Sequence, residues 1–289
     1  MIVNEIQPNI YKVNKCRFAR YKTFVGGCIY INQSESILEI DTAIFQECNS
    51  SGGIFKIDSI YGCPLYYHEG KSFFSQRIIA SKCVSSMRCI AAAFVSDQID
   101  LPLQTNMTSF ENCIVGTDFF YMLNRGNILY SYINCSHNYS PYYSSPHAGY
   151  DCYYSFHQFC IEYKSESTSV CWYSTCSKTG KCRNCLVHST LPTKYLIDIS
   201  YGSVLMENSY FYNNSIVDVN GKITLKDSFY DKIISATIEN CTIIDYDPLS
   251  LFSFEMSYFI NDSFCVISNI YKCSFILDLF HLCFIQIIL

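Results

Sequence analysis

The stretch Ala236-Thr237-Ile238-Glu239-Asn240-Cys241-Thr242-Ile243 contains an apolar residue, any residue, a polar residue and then a small Cys, with β-branched neighbours on both sides. The same four-residue signature, ending in Cys or Ser, recurs at Val13-Asn14-Lys15-Cys16, Phe45-Gln46-Glu47-Cys48, Ala80-Ser81-Lys82-Cys83, Phe110-Glu111-Asn112-Cys113 and Tyr132-Ile133-Asn134-Cys135. Further copies stand at Met206-Glu207-Asn208-Ser209, Leu225-Lys226-Asp227-Ser228 and Ile270-Tyr271-Lys272-Cys273. A degenerate unit running the length of a chain is the mark of a stacked repeat architecture.

Measured at the last residue of the signature, 113 to 135 is 22 residues and 209 to 228 is 19, which are solenoid-coil lengths. In a parallel β-helix each coil is a few short strands joined by turns, and equivalent residues stack about 4.8 Å apart. A position that stacks on its own copy favours Asn, Cys, Ser and aromatics, because like side chains form ladders. The gaps of 32 (16 to 48), 35 (48 to 83) and 30 (83 to 113) read as coils that carry loop insertions. The 13 residues from 228 to 241 fit no complete coil; the two copies lie on different faces of one coil, or the match is chance.

Composition agrees with an all-β chain. Hydrophobic residues make up 49% and charged residues 16%, which excludes disorder, and the 25 Tyr and 21 Phe suit strands better than helical repeats. A net charge of −5 without a basic cluster argues against a nucleic-acid partner. Seven of the 18 cysteines end a copy of the signature, where they read as core or ladder positions rather than as a disulfide frame. Residues 1–8 show neither a basic nor an apolar leader segment, so the expected state is free thiols in a reducing compartment, cytoplasmic by default and cell-surface if the N-terminus is incomplete. Asn-x-Ser/Thr triplets at Asn32, Asn49, Asn106, Asn134, Asn138, Asn213, Asn240 and Asn261 are attributed to composition.

A second signal occurs at Gly26-Gly27-Cys28-Ile29-Tyr30-Ile31 and Gly52-Gly53-Ile54-Phe55-Lys56-Ile57, a Gly pair entering an alternating apolar run. Together with Phe45-Gln46-Glu47-Cys48 and Phe211-Tyr212-Asn213-Asn214, these G-G-x-I and F-x-x-[N/C] units resemble the right-handed parallel β-helix repeat proteins of the pectin-lyase-like superfamily. Within it, the nearest likeness is to the polymorphic-outer-membrane-type and protist β-helix-region families. The resemblance implies one right-handed parallel β-helix solenoid over residues 1–289. Those families carry more Gly-Gly copies than this chain does.

Residues 137–190 break the pattern and read as an irregular, Cys-rich loop insertion, because Pro141, Pro146 and Gly149 cannot continue a stacked strand. Within them Cys182-Arg183-Asn184-Cys185, with His188 and Cys176 nearby, could ligate zinc, but a second knuckle is missing and coil cysteines are the preferred reading. Cys89–Val95 reads as a small-residue strand inside a coil, and Asn220-Gly221 as a turn. The apolar end, residues 275–289, is short for a membrane span and holds Asp278; it is expected to be a last coil, so membrane contact is not expected.

Polysaccharide-cleaving β-helices need acids clustered on adjacent coils, and the sequence has no Asp-Asp or comparable pair. Gly116-Thr117-Asp118 is the nearest approach, and the six His are scattered. No catalytic, cofactor-binding or metal-ligating residue is therefore assigned. The expected function is a non-enzymatic scaffold for protein interaction or surface display. The alternative is a carbohydrate-binding or degenerate carbohydrate-active β-helix whose surplus Tyr serves as sugar-stacking platforms. Its partner is an unidentified protein or glycan.

Overall fold

In the computed structural model, strand Ile10–Ala19 pairs in parallel with Ile37–Gln46, which pairs with Ser72–Ser81, then Pro102–Glu111, then Asn127–Ser136. The ladder continues through paired shorter strands: Tyr154–Gln158 with Ile161–Tyr163, then Thr179–Arg183 with Leu186–His188. It ends on Tyr195–Glu207 with Tyr210–Tyr212, Val219–Lys226 with Phe229–Tyr230, and Thr237–Glu239 with Thr242–Ile243. Two-residue strands from Lys22–Thr23 to Glu166–Ser167 stack as a separate narrow sheet. A further side runs from Ile29–Asn32 through Leu65–Gly70, Ala91–Val95, Phe119–Asn124, Tyr143–Ala148 and Val170–Ser174. The protein is thus a parallel β-solenoid. The structure describes residues 9–23, 28–32, 36–50, 65–85, 91–95, 102–116, 119–124, 127–148, 152, 154–167, 170–174, 179–232, 234–252, 265–268 and 287–288. Among them, one 3-10 turn at Pro248–Phe252 is the whole helical content, and no helix is long and apolar enough to cross a membrane.

Each coil turns at residues with positive φ, and these form two stacked columns. One holds Lys15, Thr42, Arg77, Met107, Tyr132, Phe159, Asn184, Asn208, Asp227 and Asn240; the other holds Arg20, Glu47, Lys82, Asn112, His137, Lys164, Ser189 and Asn213. None of these residues is Gly, so each corner costs about 1 kcal/mol of backbone strain that the ladder must offset.

Hydrogen bonding at the corner explains the signature. The N–H of the positive-φ residue points to the next coil, as from Lys82 to the Glu111 carbonyl. Two residues on, the direction has reversed, and the Val84 N–H points back to the Cys48 carbonyl. The residue between is left with a buried N–H and no strand partner, which must be satisfied some other way. A side chain on the next coil supplies the acceptor: Cys83 N–H to Cys113 Sγ (3.4 Å), Cys113 N–H to Asn138 Oδ1 (3.0 Å), Thr190 N–H to Asn214 Oδ1 (3.0 Å). That same side chain donates to the carbonyl three residues earlier on the coil before it: Cys113 Sγ to Ala80, Asn138 Nδ2 to Phe110 and Asn214 Nδ2 to Val187. The other column repeats the scheme, with Cys185 N–H to Ser209 Oγ and Ser209 N–H to Ser228 Oγ. Where a side chain fills this hydrogen-bonding role it is small and both donates and accepts, hence Cys, Ser, Thr and Asn; in the first column Ala43, Ile78 and Ile133 occupy the same place as buried apolar residues.

The interior is filled by columns of inward residues. Phe18, Phe45, Ala80, Phe110, Cys135, Glu162, Val187, Phe211 and Tyr230 form one, almost wholly buried, with Phe18 and Phe45 stacked at 5.1 Å. Each large apolar member contributes about 1.5–3 kcal/mol on burial. A second column changes from apolar to polar and back: Val13, Ile40, Ser75, Thr105, Tyr130, His157, Cys182, Met206, Leu225. Ser75 and Thr105 hydroxyls pair at 2.6 Å, and the His157 ring lies 4.7 Å from that of Tyr130. Burial lowers His157 to about 4, so it is neutral at pH 7.

The structure corrects several expectations. The described residues of 137–190 do not form a loop insertion. Their described residues are regular coil, with corners at His137, Phe159, Lys164, Asn184 and Ser189 and ladder residues Asn138, Cys160, Ser165, Cys185 and Thr190. The pattern was hidden because Phe159 occupies the polar slot and Asn, Ser and Thr replace Cys. Irregular spacing arises from merging two columns. Cys16 stacks on Ala43, five residues before Cys48, so the gap of 32 is one coil plus the step between corners. Cys135 stacks on Phe110, not on Cys113, and its match to the signature is accidental. The 13 residues between Ser228 and Cys241 do form a complete coil, since Asp227 and Asn240 bond across it and Phe229 stacks on Thr242. Asn220-Gly221 lies within a strand rather than a turn. Of the last residues, Ile287–Ile288 pair antiparallel with the first coil at Ile10 and Tyr11, and Cys265–Ser268 pair in parallel with Cys16–Ala19, so neither extends the far end. The small-residue strand is present as Ala91–Val95. Both Gly-Gly pairs and the signature at Cys273 lie outside the described residues.

Candidate functional site

Among the described residues, one concave surface forms where the ladder is interrupted. Between Asp198, opposite Asn220, and Ser203, opposite Lys222, four residues of one coil face Gly221 alone on the next. The extra residues bow outward as a bulge. Gly221 has φ +98°, and a Cβ there would stand 2.2 Å from the Ile199 carbonyl oxygen, so the bulge closes only on glycine. The result is a hollow of about 540 Å³ lined by Ile199, Ser200, Tyr201, Gly202, Ser203, Gly221 and Lys222. Tyr201 is 63% exposed, the most exposed Tyr among the described residues. Beside it, Asn220 Nδ2 donates to Asp198 Oδ1 at 2.9 Å. An exposed aromatic ring with hydroxyls and an ammonium within one hollow can both stack on a ligand and hydrogen-bond its edge.

A second hollow of about 480 Å³ lies over the first coils, floored by Val13, Ile40 and Ser75 and flanked by the in-register column Asn14, Asp41, Gln76, Asn106. Its charges are already paired, Lys12 Nζ with Glu39 Oε2 at 2.9 Å and Arg77 Nε with Asp41 Oδ1 at 2.9 Å. Farther along, Glu207 takes hydrogen bonds from Lys181 and Arg183, which hold its carboxyl below the usual range. These faces are self-compensated, so they offer shape more than field.

The narrow sheet presents a different surface. Its outward column reads Lys22, Asn49, Val84, Ile114, Tyr139, Glu166, with Leu191 bridged to Glu166. Ile114, Tyr139 and Leu191 are 46%, 40% and 50% exposed. Beneath them Ser85, Ser140 and Ser167 are buried, which fixes the column from inside.

The possible zinc ligands are placed otherwise. Cys182 is a core residue of the second inward column and Cys185 a ladder residue; the C-x-x-C spacing is the coil signature with Cys at its apolar slot. Burial pushes the Cys160 and Cys182 thiols up, so both are protonated. Among the described residues no group of His, Cys, Asp or Glu could hold a metal ion; Cys176 lies outside them. His188 is buried and meets Asp247 at 2.8 Å (Nε2 to Oδ1), between the rings of Tyr163 and Tyr212. Asp118 lies outside the described residues. Cys152 is disulfide-bonded, which corrects the expectation of free thiols at that position. Cys16, Cys48, Cys83, Cys113, Cys160, Cys182, Cys185 and Cys241 are free thiols. Sequence reasoning missed Tyr201 and Gly221; the Tyr-Gly and Asn-Gly pairs within an otherwise strand-like run were the available signal.

Compared with models of protein families, with curated proteins and with solved structures, the chain matches none.

Proposed function

We propose that this solenoid is a non-enzymatic scaffold that holds a partner protein against its flank. The observation that carries the reading is the outward column Val84, Ile114, Tyr139, Glu166 and Leu191, a stripe apolar except at Glu166 and kept in register by the buried serines behind it. Such a stripe is costly to leave in water and is pre-ordered, so a partner loses little entropy on docking there. The coil grammar also supports kinship with pectin-lyase-like β-helix repeats, since Phe211-Tyr212-Asn213-Asn214 uses Asn214 as a corner residue.

A second reading, carbohydrate binding, draws on the hollow beside Tyr201, where an exposed ring shares the lining with Ser200, Ser203 and Lys222. One experiment separates the two. The intact chain, the double variant Ile114→Ser/Tyr139→Ser and the variant Tyr201→Ala are compared on a glycan array and in a quantitative pull-down. Loss of a protein partner in the double variant alone supports the scaffold. Loss of a glycan signal in Tyr201→Ala alone supports the second reading. Turnover of a polysaccharide would overturn the non-enzymatic assignment.

A further inference from the structure

The cysteines of the corner column do more than fill space at one point. Cys48, Cys83 and Cys113 follow one another up the column, each donating to a backbone carbonyl of the coil before: Phe18, Phe45 and Ala80. Cys28 is not part of that column. It stands just before strand Ile29–Asn32 on the first coil, and its Sγ lies 3.5 Å from the Cys48 Sγ of the second coil, toward which it donates. Cys28 is half-buried, whereas Cys48 and Cys83 are closed off from solvent.

We propose that Cys28 and Cys48 are a thiol pair that oxidises to a disulfide stapling the first coil to the second. Three features carry this. The sulfurs are in contact, so closure needs only a small approach. The partner open to a bulky oxidant is the outer one. The inner sulfur is the better thiolate: hydrogen bonds from the Cys28 and then the Cys83 thiol hold Cys48 below the ordinary thiol range. Cys83, by contrast, is pushed up by its cysteine neighbours and by burial, and does not compete.

With glutathione disulfide as oxidant the step balances. The Cys28 sulfur attacks one glutathione sulfur as its proton passes to the Cys48 thiolate, the glutathione S–S bond breaks and one glutathione thiolate leaves. The Cys48 sulfur then attacks Cys28 Sγ and expels the second glutathione. Two cysteine thiols are oxidised, one glutathione disulfide is reduced to two glutathiones, and these take up the two protons. The staple costs the Phe18 carbonyl its thiol donor, so it replaces a weak hydrogen bond with a covalent tie at the same place.

The test titrates the reduced full-length chain with glutathione redox buffers of rising oxidised fraction, quenches with an alkylating agent and maps peptides by mass. The expected result is a Cys28–Cys48 linked peptide that has lost two hydrogens. Ser already serves the corner at Ser209 and Ser228, so Cys48→Ser should fold with an unchanged far-ultraviolet spectrum and leave Cys28 as a stable glutathione adduct. Alkylatable Cys28 in a buffer that oxidises Cys152 would overturn the proposal. So would a glutathione adduct persisting on Cys28 in the wild type, or a link from Cys28 to any other cysteine.

Discussion

Asn138 satisfies with a single amide both groups that the Cys113 corner leaves over, its Oδ1 accepting the Cys113 N–H at 3.0 Å and its Nδ2 donating to the Phe110 carbonyl at 3.1 Å. Asn138 is itself 1% exposed, so water cannot replace it. Asn138→Leu should therefore destabilise the protein by about 2–6 kcal/mol, two unsatisfied buried groups at about 1–3 kcal/mol each. Cys113→Ser keeps a donor and acceptor in place and should cost under about 1 kcal/mol. Urea unfolding midpoints of the two variants check the ranking, and equal midpoints would refute the corner account.

Gly221→Ala tests the bulge. The new Cβ meets the Ile199 carbonyl oxygen at 2.2 Å, and the backbone sits at φ +98°, where L residues are strained. A loss of about 2–3 kcal/mol is expected, with the hollow beside Tyr201 deformed. Thermal unfolding measures the first effect. Accessibility of Tyr201 to iodination reports the second.

Acid sensitivity should begin near neutrality because of His157. Burial lowers its folded pKa from 6.5 to about 4, so above pH 6.5 it is neutral folded and unfolded and has no effect. Between pH 6.5 and 4 only the unfolded chain gains the proton, and stability falls as pH falls. At pH 5 the loss from this residue is about 2 kcal/mol, at 1.36 kcal/mol per unit. His157→Phe can keep the ring beside Tyr130 and should flatten that slope in denaturation series at pH 7 and 5. A slope equal to the wild type's would show that His157 is not its source.

The coil ending at Asn240 should be removable. Deleting residues 228–240 joins Asp227 to Cys241, so a positive-φ corner is again followed by a ladder residue. Solenoid coils contact only their neighbours, so the shortened chain should keep its far-ultraviolet spectrum and lose length in small-angle scattering. Deleting residues 228–237 instead shifts every following side chain off its column and should yield aggregated protein.

Legibility followed the chemistry of single positions. Cys48, Cys83 and Cys113 exposed the ladder because a buried thiol at a repeated place is conspicuous in sequence. Asn138, Ser165 and Thr190 do the same work and were unreadable, since the backbone asks for a donor-acceptor side chain and not for a residue type. Phe159 hid its corner because Tyr132, stacked on it at 4.9 Å, makes an aromatic acceptable in a slot usually polar. The two corner columns could not be separated without the register, and Cys182-x-x-Cys185 looked like a metal turn for the same reason. The bulge at Tyr201 depends on what Gly221 faces one coil away, which no local pattern records.

The corners also bear on how the chain's acceptor triplets for N-linked sugar are to be read. Asn240-Cys241-Thr242 and Asn213-Asn214-Ser215 each spell a positive-φ Asn, a ladder residue and an exposed hydroxyl residue, with Asn240 and Asn213 exposed. Asn138-Tyr139-Ser140 spells a ladder Asn, an outward residue and a buried serine. Backbone geometry writes these triplets, whatever compartment the chain meets. An oligosaccharide on Asn213 or Asn240 would project from a corner into solvent, while one on Asn138 would have to be accommodated inside the coil stack. Attachment there during synthesis would leave the chain unable to close the coils on either side of it.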